Sequence, residues 1–203
     1  MKLRFIGITG GVGSGKSELL RYIAKHYKCE IYLADEVAHL IKQPGTVCFH
    51  RLVELLGKEI LDGRGQIDKS AMADRIFSDV QCLEKVNNIL HPAVKEFLLE
   101  KLKTARESAE VELFFVEAAL LVEAGYRQLA DELWYIYAGE DIRRERLMKS
   151  RGYGPEKIDG IMKSQLSEEE FRRSCDFVID NSGSLEESYR QINKRLEAFT
   201  WQE

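Results

Sequence analysis

The chain has 203 residues, 44% of them apolar and 32% charged, with a formal net charge of −4. That balance belongs to a globular protein able to bury a sizeable core, and it excludes a global basic footprint for nucleic acid, so any anion binding rests on local basic groups. No apolar run approaches the roughly 20 residues of a membrane span, and Cys29, Cys48, Cys82 and Cys175 show neither a CxxC pair nor zinc spacing, which predicts reduced thiols.

Met1-Lys2-Leu3-Arg4 carries no signal segment, so a cytoplasmic protein is expected. Leu3–Thr9 reads as a first strand, nearly continuously apolar as in a parallel sheet buried on both faces. It runs into Gly10-Gly11-Val12-Gly13-Ser14-Gly15-Lys16-Ser17, which satisfies the phosphate-binding pattern G-x-x-x-x-G-K-[ST]. An amphipathic run from Glu18 continues as a helix to about Tyr27. Strand, glycine loop and helix are the context the pattern requires. Glycines let the backbone approach phosphate oxygens without a Cβ in the way, and the helix N-terminus presents N–H donors and positive dipole. Lys16 offers a point charge to the β- and γ-phosphates, and the Ser17 hydroxyl a ligand for Mg²⁺. Gly10, Gly11, Val12, Gly13, Ser14, Gly15, Lys16, Ser17 and Glu18 are therefore the candidate nucleotide-binding set.

Glu30–Leu33 predicts a short second strand, and Ala34-Asp35 opens a helix that stops at Pro44-Gly45. Val47–Leu56 is an amphipathic helix ended by Gly57, and Asp62-Gly63-Arg64-Gly65 is a turn. Asp68 and Ser78 suit N-caps of helices over 69–77 and 79–90, and Pro92 suits the first turn of a long helix to about Glu107. Strand character returns at Val111–Val116 and Glu132–Ala138, whose aromatic residues suit core packing. Helices are predicted over Arg143–Arg151, Pro155–Lys163, Ser167–Ser174 and Leu185–Phe199, with a strand at Phe177–Ile179. Alternating strands and helices predict an α/β fold with a parallel β-sheet core flanked by helices, and the P-loop at its start, together with the chain's length and layout, makes a P-loop kinase fold the expectation. The expected parts are a nucleotide-binding core (about 1–44, 110–138 and 175–203), an inserted helical acceptor-binding lobe (about 45–109) and an Arg-rich lid (about 140–165).

A P-loop specifies phosphate binding, not a reaction. A GTPase needs Asn-Lys-x-Asp, and the one Asn-Lys here, Asn193-Lys194, is followed by Arg195 and Leu196 inside a predicted helix. Small nucleoside and metabolite kinases fit better in length and layout, and Arg143, Arg144, Arg146 and Arg151 fit their late, Arg-rich lid. Another small kinase of the same fold and a non-catalytic nucleotide-binding module stand as alternatives.

Six motifs in order resemble one family, dephospho-CoA kinase, across nearly the whole chain. They are the Gly-Ile-Thr-Gly-Gly opening through Lys16-Ser17, Leu33-Ala34-Asp35, Leu90-His91-Pro92, Ala119-Leu120-Leu121-Val122-Glu123, Arg146-Leu147 with Arg151 and Gln165, and Asp176-Phe177-Val178-Ile179-Asp180-Asn181-Ser182-Gly183. The chain departs from the family pattern at Leu33, where the family has Asp, and at Ala119, where it has Pro. The resemblance implies transfer of a phosphoryl group from ATP, with Mg²⁺, to the ribose 3′-hydroxyl of dephospho-CoA. It implies no nucleic-acid or membrane partner, and a monomer or weak homo-oligomer.

Asp35 is the candidate base, just past the end of the second strand; Asp also favours a helix N-cap. Lys16 and Arg146 join it as catalytic candidates, and Arg144 and Arg151 as nucleotide clamps. The alternative for each arginine is a solvated helical face beside Glu140, Asp141 and Glu145. Glu117, at the end of the third strand, is a candidate Mg²⁺-associated carboxylate.

Overall fold

The structure is a computed structural model, and it describes residues 3–77 and 80–200. In chain order the elements are β1 (Arg4–Thr9), α1 (Lys16–His26), β2 (Cys29–Leu33), α2 (Ala34–Leu40), α3 (Val47–Leu56), α4 (Lys69–Phe77), α5 (Val80–Ser108), β3 (Leu113–Glu117), β4 (Glu132–Tyr137), α6 (Glu140–Arg151), α7 (Pro155–Lys163), α8 (Glu168–Ser174), β5 (Phe177–Asp180) and α9 (Leu185–Thr200). Single 3₁₀ turns sit at Lys58–Ile60 and Tyr126–Gln128. The chain forms two compact units, one of residues 1–31 and 108–203 and one of residues 32–107.

The first unit is built on a five-stranded sheet in the order β2-β3-β1-β4-β5. Its β1–β3, β1–β4 and β4–β5 pairings are parallel. Phe5, Ile6, Ile8, Phe114, Phe115, Val116, Leu133, Trp134 and Ile136 are each at most 2% exposed. Apolar residues on both sides of the central strands match a sheet covered by helices on both faces. The register sets Ile8 beside Glu117 and Thr9 beside Tyr135. The carboxyl ends of β1 and β3 therefore lie together at the edge from which the P-loop springs, the place where open α/β sheets bind ligands.

One charged group is taken into this core. Glu132 is 8% exposed, accepts from Trp134 Nε1 at 2.8 Å and from Arg195 Nε of α9 at 3.0 Å, and is ion-paired with the same arginine through Nη2. Arg195 also lies over the Phe177 and Phe199 rings at 5.3 and 5.4 Å. Arg195→Met should keep much of that packing while leaving the shielded carboxylate without its cation. We expect a loss of about 2–3 kcal/mol, measured as a lower denaturant midpoint at unchanged slope. A loss below about 0.5 kcal/mol, the scale of an exposed pair, would show that the pair does not hold α9.

The second unit is helical. Thr46 caps α3 by accepting from Phe49 N at 3.0 Å, and Asp68 accepts from Ala71 N at 2.7 Å at the start of α4. Asp62 Oδ1 accepts from Arg64 N and Gln66 N at 2.8 and 2.9 Å, closing the predicted turn, beside a bridge between Leu61 and Ile67. The Ser78 cap lies outside the described residues. Two predicted helices, 79–90 and one beginning at Pro92, are a single 29-residue helix, α5, with Pro92 in its interior. An interior proline forgoes one backbone hydrogen bond and strains the preceding turn. Here the buried stripe Cys82, Val86, Val94, Leu98, Leu102 and Ala105 runs through that position on one helical face, and burying it outweighs the local penalty.

Candidate active site

Strand β1 ends at Thr9, and the backbone then turns through Gly10, Gly13 and Gly15, with φ of 151°, 85° and 91°. Gly15 is the left-handed N-cap of α1, with Glu18 N donating back to its carbonyl at 3.1 Å. A Cβ on Gly13 would sit 2.9 Å from the Arg143 carbonyl and 3.1 Å from Leu147. The glycines are thus required both by backbone conformation and by α6 lying directly against the loop. Within the loop the Ser14 hydroxyl is buried with no hydrogen-bond partner. A buried hydroxyl of this kind is costly unless something fills its bonding capacity. A glycine-formed cradle at a helix N-terminus with an unsatisfied hydroxyl fits an oxyanion-rich ligand such as a nucleotide triphosphate.

Lys16 begins α1. Its Nζ donates to the Gly10 carbonyl at 2.6 Å and lies 3.5 Å from Glu117 of β3, with 14% of the side chain exposed. The β1–β3 register is what delivers that carboxylate to the loop. Ser17 is exposed on the first turn of α1. Glu18, on the same turn, is ion-paired with Arg21.

The candidate arginines of α6 divide by face. Arg146 points at the loop: Nη1 donates to the Ser14 carbonyl at 3.2 Å and Nη2 to the Asn181 carbonyl at 2.9 Å. Arg144, two positions earlier, faces away and is held by Glu140 at 2.8 Å and Asp159 of α7 at 2.6 Å. Arg151 is exposed, 5.9 Å from the Tyr153 ring. The structure thus brings Arg146 to the P-loop backbone, and Arg144 and Arg151 into contacts between α6 and the segment that follows it.

Two further contacts at the loop come from Asn181, which stands in the last of the family motifs, and from Arg143, one of the lid arginines. Asn181, at the end of β5 and 1% exposed, donates from Nδ2 to the Ser14 carbonyl at 2.7 Å, and its Oδ1 accepts from Ser188 of α9 at 2.8 Å. Asn181 was legible only as part of the sixth family motif, with no role attached; Ser188 carried no signal. Arg143 donates from Nε to the Val12 carbonyl at 2.9 Å and from Nη2 to Gln165 at 2.7 Å.

Asp35 belongs to the second unit. It is exposed on the first turn of α2, whose N-cap is Leu33 and has no side-chain capping bond. Its capping alternative is therefore not realised. Asp35 lines a cavity of about 340 Å³ together with His39, Lys42, Gln43, Gln66 and Lys69. Pro44, Ile67 and Met72 complete the lining, and this mixture of apolar surface with a carboxylate, two lysines, an imidazole and two amides suits a small molecule that has both anionic and apolar parts. His91, beside Pro92 on α5, is exposed. All four cysteines are free thiols, and burial pushes the Cys29 and Cys175 thiols up to about 11 and about 12; such thiols are inert rather than catalytic.

Comparison with known proteins identifies the family. The family model described as dephospho-CoA kinase matches residues 4–187. The dephospho-CoA kinase of Aquifex aeolicus is 36% identical over 98% of each chain, and that of Carboxydothermus hydrogenoformans is 33% identical over 99% of this chain and 97% of its own. A solved structure, the dephospho-CoA kinase from Campylobacter jejuni, superposes with a TM-score of 0.71 over 96% of both chains at 22% identity, a likeness of fold. The match runs through the P-loop, α2, the helical unit, α6 and the end of β5, and on that span the chain belongs to the dephospho-CoA kinase family.

Proposed function

We propose that this chain transfers the γ-phosphoryl group of ATP to the ribose 3′-hydroxyl of dephospho-CoA, giving coenzyme A and ADP. Its membership of the family across residues 4–187 carries the reading. The glycine cradle around Ser14 supports it independently.

In this reading the loop amides of residues 10–17 and Lys16 hold the triphosphate. Lys16 exchanges its contact with the Gly10 carbonyl for phosphate oxygen. Arg146 and Asn181 keep the Ser14 peptide in one orientation, so the donors around it need no reorganisation during reaction. Asp35 takes the proton of the 3′-hydroxyl as that oxygen bonds to the γ-phosphorus, and the bond to the β-phosphate oxygen breaks with its electron pair leaving on ADP. Arg144 and Arg151 set the position of the segment after α6 around the nucleotide.

Among the described residues no group of three or more His, Cys, Asp and Glu could hold a metal. In the proposed reading Mg²⁺ comes to this site on ATP, where the exposed Ser17 hydroxyl would be its protein ligand with Glu117 nearby, since Mg²⁺ prefers oxygen donors and substrate phosphates. When bound it neutralises charge on the phosphates. No described helix is long and apolar enough to cross a membrane. We further propose a cytoplasmic enzyme without a nucleic-acid partner, acting as a monomer or weak homo-oligomer.

The test is acceptor choice at fixed ATP–Mg²⁺. Dephospho-CoA, AMP, adenosine and shikimate are compared by ADP release. Binding energy from the remote pantetheine end positions the hydroxyl, so dephospho-CoA should lead in kcat/KM by more than about a hundredfold, on the scale of ~3 kcal/mol. Parity with AMP or shikimate would replace the reading by a different small-molecule kinase. ADP release that no acceptor accelerates would replace it by a nucleotide-binding module.

A further inference from the structure

The contact between Arg143 and the P-loop is unusual in its chemistry. The Arg143 guanidinium packs so closely on Gly11 that a Cβ there would overlap it. Its Nε donates to the Val12 carbonyl at 2.9 Å and its Nη2 to Gln165 Oε1 at 2.7 Å, and the same Oε1 accepts from Val12 N at 3.2 Å. One residue of the phosphate loop, Val12, is thereby held through both its N–H and its carbonyl, that is through the two peptide groups that flank it, by a two-residue clasp. Gln165 follows α7 and lies 22 residues beyond Arg143.

Both donors to Gln165 are N–H groups, so the side-chain oxygen, not the amide nitrogen, must face them. Gln165 acts here purely as an acceptor, a task a carboxylate performs with shorter and stronger bonds. A neutral amide accepts without cancelling the arginine's charge. Arg143 is half-buried, and the oxygens to which it donates, the Val12 carbonyl and the Gln165 amide, are both neutral. Burial pulls its guanidinium below the usual arginine value, which reflects the cost of keeping a cation there. The neighbouring arginine, Arg144, is by contrast paired with two carboxylates. Among the described residues Arg143 makes no ion pair with a carboxylate, although Glu140 one turn earlier on α6 bears on its charge; a half-buried cation so placed against a phosphate-binding loop keeps much of its field for an anion in that loop.

We propose that Gln165 is a positioning residue that holds Arg143 against the P-loop as an unneutralised cation for the phosphates of the nucleotide. The inference rests on the reading of residues 10–17 as the ATP site but not on the identity of the acceptor. It assigns the reason for an amide at position 165 and for glycine at position 11.

The experiment measures the dissociation constant for ATP–Mg²⁺ by titration calorimetry on the full chain, with thermal melts alongside. Gln165→Glu preserves both acceptor bonds and adds a carboxylate to Arg143, so it should melt no lower than wild type yet bind ATP about tenfold more weakly. Arg143→Met removes the charge directly and should weaken ATP binding similarly. Adding Gln165→Glu to Arg143→Met should then produce little further loss, because the carboxylate has no cation left to neutralise. Gln165→Glu binding within twofold of wild type would overturn the proposal, as would an equal loss whether or not Arg143 is present. If Gln165→Glu melts early, Gln165→Met, which loses the acceptor but adds no charge, must still weaken ATP binding, and an unchanged constant overturns the proposal. Wild-type turnover with dephospho-CoA is recorded separately; its absence would remove the acceptor assignment while leaving the ATP-binding result to decide this one.

Discussion

Lys16→Met is expected to lower kcat by about 10²–10³-fold, the scale on which one preorganised charge-stabilising group acts, in a protein that still folds. The side chain is not a free surface lysine. Its Nζ donates to the Gly10 carbonyl and lies 3.5 Å from Glu117, so its loss takes a cation from a shielded carboxylate. A stability cost of about 1–2 kcal/mol follows, visible as a lower melting temperature. Combining Lys16→Met with Glu117→Gln removes the carboxylate charge opposite the missing ammonium. The melting temperature should then recover toward wild type while kcat stays low. Melts and ADP release with dephospho-CoA read the two quantities separately. If turnover recovers together with stability, the single variant lost activity through folding, and Lys16 leaves the catalytic set.

What the sequence made legible follows a pattern of range. The P-loop, its glycines and the helix after it were readable because their causes are local: positive φ at Gly13 and Gly15 and a helix N-terminus opening at Lys16. The apolar runs of β1, β3 and β4 gave the buried sheet for the same reason, since strands covered on both faces cannot alternate. Pro92 misled because its local preference for a helix start competes with a buried stripe that spans about six turns of α5, and only the fold shows which term is larger. The arginines of α6 were legible as a basic cluster but not by face. Arg143 and Arg146 reach the P-loop while Arg144 turns to Asp159, a division that depends on where the loop sits against the helix. Asn181 and Ser188 form a relay to the Ser14 carbonyl across 167 residues of sequence, and no spacing rule anticipates it.

Asp35 separates chemistry from architecture more cleanly than Lys16, because the structure gives it little structural work. The N-cap of α2 is Leu33 with no side-chain capping bond, so Asp35 does not hold the helix end. Its remaining contribution to the fold is a negative charge on the first turn, worth about 0.3–1 kcal/mol against the helix dipole. Asp35→Asn keeps the shape and polarity and loses the ability to accept a proton. If Asp35 is the base for the 3′-hydroxyl, kcat should fall by about 10²–10⁴-fold, with KM for ATP within twofold of wild type and a melting temperature lower by no more than a few degrees. Asp35 also lines the cavity that holds Lys42 and Lys69, so a binding role is the competing explanation. The two differ in what they move. Removing a carboxylate that only binds acceptor raises KM for dephospho-CoA and leaves kcat, whereas removing the base lowers kcat at saturating acceptor. Initial rates across both substrates distinguish them, and a kcat within threefold of wild type with a raised acceptor KM would reassign Asp35 from proton acceptor to acceptor-binding residue.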